Sequence, residues 1–202
     1  MALVTTDILK EYLPEISGSG ADTELSNLLD RVEATIARWL GFPAPDGSNT
    51  PTLAVSTYTL YIDSYWYENI SVLQLPIKPV VTITSVHADP DRAYTSDTEV
   101  KSDEYDIDKQ QGLLIIKPDT STVGFTSSYR GNRVIGTFGF TLFHKDLIHA
   151  VFVYASHLYR AKSSQGKKSQ SVRNATTTYS PNVIPDEVKQ ILYPYRASQV
   201  II

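Results

Sequence analysis

The sequence contains no cysteine. Without it the chain cannot form disulfides, cysteine-based zinc sites or a thiol nucleophile. Long apolar runs are also missing. No stretch approaches about 18 consecutive apolar residues, so no segment is expected to span a membrane. The opening, Met1 to Glu15, has no basic start and no apolar core, and no signal peptide is expected. A soluble chain working in a cytoplasm is the expectation. Catalytic motifs are absent too. There is no HExxH, no GxSxG nucleophile elbow and no GxxxxGK[ST] phosphate loop. Gly131, Gly136 and Gly139 lack the spacing of a dinucleotide fingerprint. The four histidines, His87, His144, His149 and His157, never pair at the i, i+4 spacing that puts two ligands on one helix face. They read as packed or surface histidines. No catalytic residue, metal ligand or cofactor is expected.

What is present suits a folded chain with partners. Of its 202 residues 42% are hydrophobic and 20% charged, enough to build a core. The net charge of −4 is unevenly spread. Residues 160–202 carry seven Lys and Arg against two acids, which leaves residues 1–159 at −9. An acidic body should repel nucleic acid, whereas the basic C-terminal arm suits an acidic protein surface, a nucleic acid or solvent. Tyrosine is abundant, with 13 residues. Tyr65, Trp66 and Tyr67 stand together, and tyrosine suits both interfaces and ordinary packing.

Periodicity sets out the elements. Ile8, Leu9, Tyr12 and Leu13 read as the inward face of a short helix over 6–13 that stops before Pro14. Leu25, Leu28, Leu29, Val32, Ile36, Trp39 and Leu40 recur at helical steps, predicting a helix over 22–40 capped by Asp22 or Thr23 and ended by Gly41. Residues 53–141 are strand-rich, with alternation at Tyr58, Leu60 and Ile62 and short apolar strands at 72–75, 80–86, 113–117 and 133–141. Glu104, Asp106 and Asp108 alternate with Tyr105 and Ile107. They read as the solvent face of a half-buried strand, the alternative being a divalent-cation site. A second helical stripe, Leu147 to Tyr159, predicts a helix over 145–162. The polar segment 163–183 reads as a flexible arm, and Pro185 opens a closing helix within 184–202, stopped by Pro194. The fold class is therefore α+β, helices packed together with a mainly antiparallel sheet, plus an extended arm and a C-terminal tail. Residues 1–162 form the core in this reading.

Several of these segments resemble the head–tail connector, or adaptor, proteins of tailed bacteriophages. The resemblance starts in Leu3 to Leu13, a short helix ending in a Tyr-Leu pair. It continues in Leu28 to Gly41 and in Leu75-Pro76-Ile77-Lys78-Pro79-Val80-Val81-Thr82-Ile83-Thr84-Ser85-Val86. It closes with Ile184 to Arg196, ending Tyr193-Pro194-Tyr195-Arg196. About half of the chain takes part; the arm at 163–182 and the insertion near 89–103 depart from the family pattern.

The resemblance implies a non-enzymatic subunit of a ring of about twelve copies. That ring lies beneath the portal, extends the DNA channel without binding DNA specifically, and joins the head to the next neck or tail protein, a stopper or tail terminator. It implies a place in the virion neck, with assembly in the host bacterial cytoplasm. Alternatives are a head-closure or tail-completion protein, a small hydrolase using His87 and the 104–108 carboxylates, or a nucleic-acid-binding module using the basic arm. The apolar tip Val200-Ile201-Ile202 suits strand addition to a partner sheet, with Tyr193, Tyr195 and Arg196 as anchors; the resemblance makes that partner the portal. Tyr65, Trp66, Tyr67 and Arg160 are the candidates for the ring interface, and the helices at 22–40 and 145–162 for its side walls.

Overall fold

A computed structural model describes residues 4–16, 18–63, 71–118, 124–162 and 184–196, together with the backbone of two strands at 169–172 and 175–178. The order of elements is α1 (Thr6–Tyr12), α2 (Asp22–Leu40), β1 (Ser56–Ile62), β2 (Val72–Gln74), β3 (Val80–Ala88), β4 (Tyr105–Asp108), β5 (Leu113–Ile116), β6 (Asn132–Phe138), α3 (Lys145–Ala161), β7 (Ser169–Val172), β8 (Ala175–Thr178) and α4 (Asp186–Leu192). The class is α+β with antiparallel strand pairing throughout these ladders. Two compact units result, the helices in one and strands β1 to β6 in the other.

The helical unit comprises Met1–Leu40 and Phe143–Arg196. Its core is the apolar stripe read from sequence. Leu25, Val32, Ile36 and Leu40 of α2 are fully buried, as are Leu147, Val151 and Ala155 of α3 and Val188 and Leu192 of α4. Burying each of these leucine, isoleucine and valine side chains contributes about 1.5–3 kcal/mol. Gly41, at φ +94°, ends α2 in the left-handed conformation that glycine adopts freely. Two expectations are corrected. Ile8 and Tyr12 of α1 are not buried; they are 43% and 44% exposed, Tyr12 laying its ring on Phe152 of α3 at 4.5 Å, and of the four only Leu9 and Leu13 are buried. A helix of two turns has one narrow face to bury, and Leu9 and Leu13 occupy it. Asp22 is not a cap either. It begins α2, and its carboxylate pairs with Lys10 of α1 at 2.5 Å.

The β unit, Gly41–Leu142, holds two three-stranded sheets, ordered β1-β6-β3 and β2-β5-β4. β6 is the central strand of the first, and its alternate residues Asn132, Val134, Gly136 and Phe138 are buried. A Cβ at Gly136 would meet the Thr82 carbonyl oxygen at 2.5 Å, so the close approach of β3 requires glycine there. β3 shifts register against β6 at Val80/Thr82 and Ile83/Ser85, which explains its broken alternation. In the second sheet Leu73, Leu114 and Tyr105 are buried. The turn joining β4 to β5 is closed by Asp108, whose carboxylate accepts the amides of Gln110 and Gln111.

Within the segment read as a flexible arm, the backbone of β7 pairs with β8 from Ser169↔Thr178 to Val172↔Ala175. The segment is therefore not featureless. Its Thr and Val residues are β-branched, and a strand ladder accommodates them well. Pro194 does not end the chain's helical path at once: Tyr193–Tyr195 continues α4 as a 3-10 turn. Among the described residues no helix is long and apolar enough to cross a membrane.

Candidate assembly surfaces

The closing turn after α4 brings three of the candidate tail residues onto the helical unit. Tyr193 is 71% exposed and points outward. Tyr195 instead donates its hydroxyl to Asp146 at 3.3 Å and sets its ring 5.6 Å from His144. Burial, and then the Asp146 carboxylate, pushes the Tyr195 phenol up. The Arg196 guanidinium lies 5.3 Å from the Trp39 ring centroid. Arg and Tyr here fasten the end of the described chain to α2 and α3. Val200, Ile201 and Ile202 lie outside the described residues, as do Tyr65, Trp66 and Tyr67.

Arg160 reaches across α3 to the end of α1. Its Nε donates to Glu15 Oε1 at 3.1 Å, and a second nitrogen donates to the Tyr12 carbonyl at 3.4 Å. Next to it, α2 and α3 flank a groove of about 390 Å3 lined by Glu24, Leu28, Arg31, Tyr154 and Leu158. The Lys162–Glu24 ion pair, at 2.5 Å, bridges the two helices there.

The groups considered for hydrolysis or cation binding are occupied otherwise. Glu104 accepts the amide of Lys101, Asp106 faces Lys117 at 3.6 Å, and Asp108 caps its turn. His87 is 6% exposed, with Nδ1 at 3.2 Å from the Thr95 carbonyl. Among the described residues no three His, Asp or Glu side chains converge as a metal site would need.

One cluster in the β unit was not read from the sequence. Tyr61 on β1 and Tyr94, in the loop after β3, place their rings 5.8 Å apart. Arg130 lies 4.3 Å over the Tyr61 ring and Arg133 lies 4.5 Å over Tyr94. The loop is held by Asp89, 3% exposed, which accepts the amides of Asp91 and Tyr94. Burial pushes the Asp89 carboxyl up, but the amides of Tyr94, Asp91, Ala93 and Arg92 outweigh it and hold the group below its ordinary range. Tyr94 in turn donates its hydroxyl to the Arg130 carbonyl, and the Arg130 amide donates to Asp63 at 2.7 Å. Burial, followed by Tyr61, pushes the Tyr94 phenol up, against the charges of Arg130, Arg133 and Arg92. Arg92, Tyr94 and Arg130 all have positive φ, at 62°, 49° and 52°. These members come from three distant stretches of sequence, so no spacing rule announces them; the Asp89-Pro90 turn is the one local signal.

No protein-family model matches the sequence, and no curated protein is similar to it by sequence. Solved structures are similar in fold. One is a chain from the neck of an empty GTA (gene transfer agent) particle computed with C6 symmetry, at a TM-score of 0.61 and 18% identity. The match covers 98% of this chain and 92% of that one. The likeness is one of fold. A second neck chain, from the native GTA particle computed with C12 symmetry, matches at a TM-score of 0.51 and 18% identity, over 92% of this chain and 95% of that one. Both likenesses run over nearly the whole of this chain.

Proposed function

We propose that this chain is a structural, non-enzymatic subunit of the neck of a tailed phage or phage-like particle. It acts as a head–tail adaptor, one copy in a head-to-tail ring that joins the portal to the next neck or tail protein. The observation that carries this reading is the likeness to a neck chain over nearly the full length of both chains. A ring of about twelve copies is compatible with both symmetries of the similar necks, since six divides twelve. The occupied carboxylates and histidine support a scaffold over an enzyme. The acidic body, −9 over residues 1–159, supports a channel through which DNA slides without adhering. Tyr193 and the tail Val200-Ile201-Ile202 are the proposed grip on the portal, while Arg160 and the Tyr65–Tyr67 aromatics are proposed for the ring contact.

The test is genetic. Particles made without this chain should stop as DNA-filled heads and separate tails, and adding the purified chain should join them. Complete particles formed without it would refute the proposal.

A further inference from the structure

Within the β unit, guanidiniums and carboxylates are present that do not satisfy one another. Arg92, Arg130 and Arg133 have no carboxylate within ion-pair distance among the described residues. The Arg133 Nε is buried and has no hydrogen-bond partner. Asp97, Glu99 and Asp103, in the segment between β3 and β4, are exposed and form no ion pair among the described residues.

The arginines are held ready for a ligand. Stacking over Tyr61 holds the exposed Arg130 guanidinium and leaves its N–H edge for bidentate contact with an oxyanion, while Arg133, over Tyr94, gives one nitrogen to the Tyr94 carbonyl at 3.5 Å. Positive φ at three non-glycine residues in one cluster is strain of the sort that persists at ligand clamps. The carboxylates of Asp97, Glu99 and Asp103 lie in the same unit as the clamp and form no ion pair with its arginines. In a head-to-tail ring one patch must meet a different patch of the next copy. An acidic chain carrying an arginine-rich clamp fits that geometry.

Resting on the ring reading above, we infer that the Tyr61–Tyr94–Arg130–Arg133 clamp, with Arg92, receives the acidic segment 97–103 of a second copy of this chain and so forms one subunit contact of the ring.

The test uses two full-length variants, Arg92→Glu/Arg130→Glu and Asp97→Lys/Asp103→Lys. All four positions are exposed, and melting curves check that both variants fold. Sedimentation equilibrium over a concentration series reads self-association. Each variant alone should associate at least about tenfold more weakly than the unaltered chain. Mixing the two should restore association, because each altered patch then meets a complementary one. A photoreactive residue placed at position 92 should cross-link between copies to the peptide 97–103. The inference is overturned if the unaltered chain stays monomeric at every concentration, if either variant associates like the unaltered chain, or if mixing restores nothing. Duplex DNA binding that disappears in the arginine variant would assign the clamp to nucleic acid and overturn it as well. A ring seen in particle necks with this clamp away from the contact would sink the inference alone; a neck without the chain would sink the functional reading.

Discussion

Tyr58 is 2% exposed, packs edge-on to Phe138 at 6.0 Å and reaches the Thr52 carbonyl at 3.4 Å. Burial, with the Asp46 charge second, pushes its phenol up to about 12. In the unfolded chain a tyrosine titrates near 10. The native state therefore keeps its proton longer, and the stability tied to that proton is complete below about pH 10 and lost as pH rises towards about 12. Tyr58→Phe should flatten this alkaline loss in a denaturant-melt series while changing stability at pH 7 by no more than about 1 kcal/mol. Tyr105 and Tyr154, raised by burial too, will leave a remnant of the slope. On the acid side, Asp89 has a depressed pKa, so its contribution is present above the ordinary carboxylate range and falls away below it. Asp89→Ala should lower the melting temperature at pH 7 and narrow that gap in acid. An acid profile identical to the unaltered chain's would show that the loop does not depend on Asp89.

At the scale of elements, α2 and α3 owe their legibility to long stripes of leucine, isoleucine and valine at helical spacing, which tertiary packing then uses without change. Ile36→Ala, at a fully buried position, should cost about 2–5 kcal/mol by chemical denaturation. Ile8→Ser, at a 43% exposed position, should cost far less, and that contrast checks which face of α1 is inward. The sequence did not reveal that face because four apolar residues in a helix of two turns cover more than one side. Nor did it reveal the β7–β8 pairing, since a ladder of Ser, Gln and Thr has the composition of a loop. The clamp escaped for another reason: Tyr61, Tyr94, Arg130 and Arg133 meet only once β1, β6 and the 89–94 loop are in place. At the other end of the chain, Tyr195 and Arg196 are fastened to Asp146 and Trp39, which leaves the proposed portal grip to the exposed Tyr193 and the tail after Arg196. Deleting Ser198 to Ile202 should leave the melting temperature unchanged and abolish binding to the portal. Intact portal binding in that variant would remove the tail from the account.

For the whole molecule, charge and assembly belong together. An acidic body lines up with passage of DNA, and the basic residues after Arg160 do not reverse the net charge of −4. The full chain should fail to retain duplex DNA at about 0.15 M salt, and tight, sequence-independent binding in a filter or anisotropy assay would contradict a conduit. Cutting the chain at Tyr159 is a poor way to ask this, because Val188 and Leu192 of α4 are fully buried and the helical unit would lose its core. The most direct test of the account is to mix the purified chain with its portal and image the product by electron microscopy. The account predicts a closed ring of copies on the portal, each touching the next through two different surfaces around a central channel. A two-fold dimer bound to the portal, or a portal left bare, would contradict it.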